Sequence, residues 1–265
     1  MLRAVRGLLD AHGLPGDRLE AWKDGSNLLI RPVPAPVILR VTTFTGRVRG
    51  DAMPYLQREV ALVRWLAGRG APVMGPATAM SAGPFLVDGW GMAAFGFVAH
   101  EPGAVVDPAS ALVALDALHA SMRPCPVELP LLGPATTDLD LALAFAVRED
   151  VIDRVEARAI SRRRDRLVQR LLASGDSPVP QHGDAFPRNA VMGPAGATWI
   201  DLEDACRGPR AWDLVVLARA TDDPEVLHEG ERRHGVEAIR AAWRLRELQA
   251  DVWRRLHEAR VARGW

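Results

Sequence analysis

Cysteine is almost absent from this chain: Cys125 and Cys206 are its only two in 265 residues. Two thiols support neither a disulfide framework nor a thiolate metal cluster, and unpaired thiols suit a cytoplasmic protein. An excess of either charge is missing too, since 33 basic side chains face 33 acidic ones. A dedicated nucleic-acid binder would be markedly basic, so no nucleic-acid partner is expected. No stretch approaches the roughly 18 to 20 uninterrupted apolar residues of a transmembrane helix, so no membrane partner is expected either. The opening MLRAVRGLLDAHG carries Arg3, Arg6 and Asp10 and reads as an amphipathic helix, not a signal peptide. Lysine is scarcer than cysteine. Lys23 stands alone among arginines, so chemistry that needs lysine uses Lys23 or has substituted arginine.

What is present is a large apolar fraction, 48% of the chain, which excludes disorder as the main state and supplies a substantial core. The length fits one or two domains. The chain changes character near Gly103. Before it, β-type runs (DRLEAWKD, LLIRPV, VILRVTT, PFLV, MAAFGFVAH) alternate with Pro- and Gly-containing turns. One helix interrupts them from about Met53 to Gly68, with Leu56, Val60, Val63 and Leu66 at helical spacing. After Gly103, helical patterns dominate: Ser110 to Met122, Leu139 to Val147, Asp150 to Leu172 and about Gly235 to Ala262. Short strand-like pieces, VPQHGD, NAVM and ATWIDLED, lie among them. Strands followed by helices predict an α+β chain with a small lobe, residues 1–101, and a larger, mainly helical lobe, residues 102–265.

The chemistry concentrates in QHGDAFPRNAVMGPAGATWIDLEDACRGPRAWDLVVL, residues 181–217. Asp184 and Asn189 lie five residues apart on a turn-rich loop, and Asp201 ends a strand. Oxygen ligands of this kind suit a hard cation such as Mg²⁺, and a carboxylate beside it can accept a proton from a hydroxyl. Taken alone, the same residues also read as turn formers and a strand terminus.

HGDAFPRN, WIDLED and GPRAWDL, in that order, resemble the aminoglycoside phosphotransferase family, small-molecule relatives of the eukaryotic-type protein kinases. The resemblance implies a two-lobed protein-kinase-like fold and the cofactors ATP and Mg²⁺. Asp184 then matches the catalytic base, and Asn189 and Asp201 match the metal ligands. His182 matches a loop-buttressing residue, and Trp212 and Asp213 match packing and bracing elements. Glu203 stands where many kinases have glycine, and its role is open.

The N-terminal half extends the resemblance. Gly25, Ser26 and Asn27 fall where a nucleotide-binding hairpin loop covers the phosphates, although a Gly-Ser-Asn turn is by itself an ordinary hairpin. In VILRV, Arg40 takes the place of the phosphate-contacting lysine of protein kinases, and its planar fork suits phosphate oxygens. Glu59 falls where a helix supplies that residue's acidic partner. Strand alternation does not say which face Lys23, just before the glycine turn, occupies, and Arg40 ranks ahead of it because the VILRV context and the helix glutamate downstream both match. Backbone groups near Ala99 and Glu101 fall where the adenine edge would bind. His119, in LDALHA, reads as a buried structural histidine. The resemblance runs from about Asp17 to Leu217, and the last helices match nothing in it.

The implied partner is a small hydroxylated substrate, either an antibiotic or a metabolic alcohol of the choline, homoserine or sugar kind. A nucleotide-binding pseudokinase is the alternative outside catalysis. A protein substrate is disfavoured, since no Ala-Pro-Glu motif follows Asp201. Aminoglycosides are polycations. The acidic cluster Asp222, Asp223, Glu225, Glu229 and Glu231 is followed by Arg232, Arg233, Arg240, Arg244 and Arg246, and these charges largely cancel. The sequence therefore points to an acceptor of modest positive charge and not to broad aminoglycoside specificity.

Overall fold

The structure is a computed structural model that describes residues 1–100, 104–193, 196–221 and 223–265. The chain divides into two compact units, Met1–Glu101 and Pro102–Trp265.

The first unit contains α1 (Leu2–Ala11), β1 (Arg18–Asp24), β2 (Leu28–Val33), β3 (Val37–Val41), α2 (Phe44–Arg49), α3 (Met53–Ala67), β4 (Phe85–Val87) and β5 (Trp90–Gly96). Its strands form one antiparallel sheet in the order β1-β2-β3-β5-β4. Two helices, not the expected one, interrupt the strands. The six residues of α2 are too few to show a periodic apolar stripe, so pattern reading passed over them.

The sheet has two different faces because side chains alternate along each strand. On one face Ile30, Val37, Leu39, Val41, Met92 and Ala94 are buried with Ala4, Val5, Leu8 and Leu9 of α1. Burying each of the larger side chains contributes about 1.5–3 kcal/mol. Arg40, between Leu39 and Val41, must point to the other face. Leu29 pairs with Arg40 across β2–β3 and with Lys23 across β1–β2, after a register shift between Ala21 and Lys23. Directly paired residues share a face, so both candidate phosphate cations lie in one row.

The second unit contains α4 (Pro108–Ser121), α5 (Thr137–Arg148), α6 (Arg154–Leu172), β6 (Val179–Gln181), β7 (Ala190–Gly193), β8 (Gly196–Trp199), β9 (Cys206–Gly208), α7 (Ala211–Thr221), α8 (Pro224–His234) and α9 (Val236–Arg263). Two small antiparallel sheets, β6–β9 and β7–β8, accompany the helices. The core joins α6, α7 and α9 through Leu167, Leu171, Trp212, Val215, Val216, Ile239, Leu245 and Leu248.

The start of α6 differs from the expected Asp150. Asp150 has left-handed backbone (φ 50°), and the helix begins after Asp153, whose carboxylate accepts from the N–H groups of Val155 at 2.7 Å and Glu156 at 2.8 Å. An N-cap aspartate sets the boundary where periodicity alone ran on too far. Among the described residues, no helix is long and apolar enough to cross a membrane.

Candidate active site

In the second unit, the segment from His182 to Arg188 leaves β6 and turns back into β7. Asp213, in the first turn of α7, holds it from below. This fully buried carboxylate accepts from the backbone N–H of His182 (Oδ2, 2.8 Å) and of Gly183 (Oδ1, 2.8 Å), and its Oδ2 lies 2.8 Å from His119 Nε2. Trp212 Nε1 donates to the Gly183 carbonyl at 2.8 Å. His119 and Asp213 are thus bracing elements beneath the loop. Gly183 has φ 87°, and a Cβ there would lie 1.8 Å from the Asp204 carbonyl oxygen, so only glycine fits.

His182 is fully buried, and its ring meets Trp199 edge-on at 5.0 Å. Its Nδ1 accepts from the Asp184 N–H at 3.3 Å, and its Nε2 lies 3.1 Å from the Ile200 carbonyl. Those two contacts suit the neutral tautomer with hydrogen on Nε2. His182 therefore ties the loop to the end of β8.

The three residues singled out for chemistry come together at the open end of the β7–β8 hairpin. Ala190 pairs with Trp199, and the Asn189 carbonyl accepts from Ile200 N–H at 2.8 Å. Asn189 thus enters the hairpin where Asp201 leaves it. Asn189 Nδ2 donates to Asp184 Oδ2 at 2.8 Å and to the Asp184 carbonyl at 3.0 Å. Its amide nitrogen is used in these bonds, and the side-chain oxygen is the atom of Asn189 suited to a hard cation. Asp201 has left-handed backbone (φ 65°, ψ 58°), sparsely populated outside glycine and typical of functional turns. Glu203 is buried in the short turn that follows. Among the described residues, no three His, Cys, Asp or Glu side chains form a metal-holding group. One carboxylate and one amide oxygen still fit Mg²⁺, which is commonly held by one or two protein oxygens together with substrate phosphates.

One contact was invisible in the sequence. Arg246 of α9 places Nη2 2.6 Å from Asp184 Oδ1, so both oxygens of that carboxylate are engaged. Arg246 Nη1 donates to Gln249 Oε1 at 2.6 Å, and Gln249 Nε2 donates to the Pro134 carbonyl at 3.1 Å. The guanidinium carbon also lies 6.0 Å from the Trp212 ring centre. Further along α9, burial pushes the His257 pKa down, and the charges of Arg260 and Arg188 push it the same way.

In the first unit, Arg40 Nη1 lies 2.5 Å from Glu59 Oε2, with both side chains 1% exposed. Asn27 Oδ1 accepts from the Thr45 hydroxyl and, at 3.4 Å, from Thr43 N–H. The Ser26 carbonyl accepts from Thr45 N–H at 3.0 Å. The Gly25–Asn27 turn is therefore tied to the start of α2, with Asn27 acting as the tie. Ala99 is exposed after β5, whereas Glu101 lies outside the described residues.

The family model for the phosphotransferase enzyme family matches residues 28–260. No curated protein matches the sequence. Among solved structures, choline kinase LicA from Streptococcus pneumoniae aligns with TM-score 0.63 at 16% identity, over 97% of this chain and 91% of the other. Aminoglycoside phosphotransferase APH(3'')-Id from Streptomyces rimosus aligns with TM-score 0.63 at 22% identity, over 94% and 98%. Amicoumacin kinase hAmiN, solved in complex with AMP-PNP, Ca²⁺ and Ami, aligns with TM-score 0.66 at 15% identity, over 95% and 86%. These likenesses establish the α+β two-lobed kinase-like fold, and the match over residues 28–260 places the chain in the phosphotransferase enzyme family.

Proposed function

We propose that the protein is an ATP- and Mg²⁺-dependent phosphotransferase that moves the γ-phosphoryl group to a hydroxyl of a small molecule. The observation that carries this reading is the meeting of Asp184, Asn189 and Asp201 at one end of the β7–β8 hairpin. Residues 1–101 are assigned to nucleotide binding, with Arg40 as the phosphate contact, Glu59 as its partner, and Gly25 and Ser26 as the loop over the phosphates. Residues 102–265 are assigned to catalysis and acceptor binding. Neighbours of the same fold are a choline kinase, an aminoglycoside phosphotransferase and a kinase solved with AMP-PNP, which supports both the nucleotide and the small acceptor.

Asp184 orients the acceptor hydroxyl and takes its proton. The hydroxyl oxygen forms a bond to the γ-phosphorus while the bond from that phosphorus to the bridging oxygen of ADP breaks, and ADP leaves with the electron pair. Asn189 and Asp201 would hold Mg²⁺, which supplies neutralisation of phosphate charge.

Titrating nucleotide with and without Mg²⁺ tests this assignment. In wild type, Mg²⁺ is expected to tighten ATP binding, and in Asp201→Ala that dependence is expected to disappear, with Asn189→Ala less affected because it removes a neutral ligand. An unchanged Mg²⁺ dependence in Asp201→Ala would overturn the metal assignment.

The two cations of the first unit separate in a second titration. Arg40 is buried against Glu59, whereas Lys23 is partly exposed in the edge strand β1. Loss of a charge-assisted phosphate contact costs about 1.5–3 kcal/mol, or roughly tenfold to a hundredfold in affinity. Arg40→Ala is expected to show that loss for ATP and Lys23→Ala a smaller one. The reverse order would move the phosphate contact to β1.

A further inference from the structure

The helix that the family resemblance left unexplained supplies a charged neighbour of the proposed base. Arg246 Nη2 sits 2.6 Å from Asp184 Oδ1. An acceptor hydroxyl must come within about 2.6–3.2 Å of Asp184 to give up its proton. Any acceptor that reacts here therefore lies beside the Arg246 guanidinium.

The arginine is built into its place. Its side chain is 17% exposed, and Gln249, itself buried and anchored on the Pro134 carbonyl, holds Nη1. An arginine carries five N–H donors in a rigid fork. Nη2 serves Asp184 and Nη1 serves Gln249, which leaves donor capacity for a planar or tetrahedral oxyanion.

The same face of α9 carries one further cation, Arg260, and no carboxylate between it and Arg246. Arg246, Gln249, Trp253, His257 and Arg260 are spaced by three and four residues and share one face of the helix. The acidic residues in the same stretch of α9 fall on another face and are already paired. Glu247 lies 3.7 Å from Arg219, Asp251 pairs with Arg254 and Arg255 at 2.6 and 3.1 Å, and Glu258 pairs with Arg254 at 2.6 Å. The His257 pKa is depressed first by burial, with smaller contributions from the charges of Arg260 and Arg188. Two carboxylates of the acidic cluster ahead of α9 are held locally. Asp223 caps α8 through Glu225 N–H at 2.9 Å, and Glu229 pairs with Arg232 and Arg233.

Resting on the phosphotransferase reading, we propose that the acceptor carries an oxyanion, a carboxylate or a phosphate, near its reacting hydroxyl, and that this group docks on Arg246. This reverses the modest positive charge expected from the sequence. A polycationic aminoglycoside would bring ammonium groups against Arg246, which costs affinity in a half-buried site.

The test is ADP release with Mg²⁺ and ATP on two matched series of acceptors. One comprises glycerate, glycerol 3-phosphate, glycerol and 3-aminopropane-1,2-diol. The other comprises gluconate, glucose 6-phosphate, glucose and glucosamine, with kanamycin beside it. In one series or both, an oxyanion member is expected to exceed its neutral partner in kcat/KM by about tenfold and its ammonium partner by about a hundredfold. The carboxylate and phosphate arms show which oxyanion is the true one. Arg246→Gln is expected to erase the preference mainly through KM, and Arg246→Lys to restore part of it.

A preference for neutral or ammonium acceptors would overturn the proposal and leave the phosphotransferase reading intact. So would an oxyanion preference that survives in Arg246→Gln, or ATP binding without transfer to any oxyanion. Failure to bind ATP with Mg²⁺ at all would instead bring down the underlying reading, and the proposal with it.

Discussion

Asp184→Asn is expected to lower kcat by about 10² to 10⁴-fold while leaving nucleotide affinity and folding close to wild type. The substitution keeps the shape of the side chain but removes its capacity to take a proton. Asp184 is partly exposed, and Asn189 Nδ2 and Arg246 Nη2, which meet its carboxylate, are both donors. The amide oxygen of the variant can still accept from one of them, so the loop keeps most of its local order. Its new amide hydrogens face donors, however, which turns the side chain away from the acceptor as well as neutralising it. Steady-state kinetics on the true acceptor, with ATP titrated separately, distinguishes the two effects. Retention of more than about half of wild-type kcat would remove Asp184 from the role of base.

The structure brings Asp184, Asn189 and Asp201 together for reasons that are mostly local, which is why the sequence could suggest their association. Asp184 and Asn189 share one short loop, and Asp201 is the second residue past the β8 partner of Ala190. A hairpin joins such residues whatever lies around them. The Arg40–Glu59 contact was readable through the family resemblance, which sets a strand cation against a helix glutamate, since locally Arg58 and Arg64 are nearer Glu59 in sequence. Arg246 was not readable. It lies 62 residues from Asp184, on an arginine-rich helix whose periodicity gives a face but not the target of that face. Only the packing of α9 against α6 and α7 decides which arginine reaches the loop.

The smaller departures have equally specific causes. Periodicity extended α6 back to Asp150 because Val151 and Ile152 are apolar, while the cap at Asp153 and the left-handed backbone of Asp150 end it sooner. The face occupied by Lys23 depends on a register shift in β1 that no alternation pattern announces. Asn27 read as a phosphate-loop residue from its turn context. In the structure its side-chain oxygen accepts from Thr43 and Thr45, so Asn27 also ties that loop to the start of α2.

Asp213→Ala is expected to have the largest effect on stability, about 3–5 kcal/mol, together with a severe loss of turnover. Asp213 is fully buried and serves three donors or donor-capable groups at 2.8 Å: the backbone N–H of His182, that of Gly183, and the ring of His119. Alanine leaves the two backbone N–H groups buried without acceptors, each costing about 1–3 kcal/mol. In a chain of this size such a loss lowers the thermal midpoint by on the order of 10 °C. The kinetic consequence follows from position, since Gly183 precedes Asp184 and a shift of about 1 Å in a reacting group costs roughly 10²-fold in rate. Asp213→Asn keeps one acceptor oxygen and is expected to fall between wild type and alanine in both measurements. His119→Ala leaves both backbone bonds to Asp213 in place and is expected to be milder than either. Thermal denaturation and kcat, measured on the three variants, give the order that the bracing geometry requires. A midpoint for Asp213→Ala within about 2 °C of wild type would show that Trp212 Nε1, on the Gly183 carbonyl, holds the loop without Asp213.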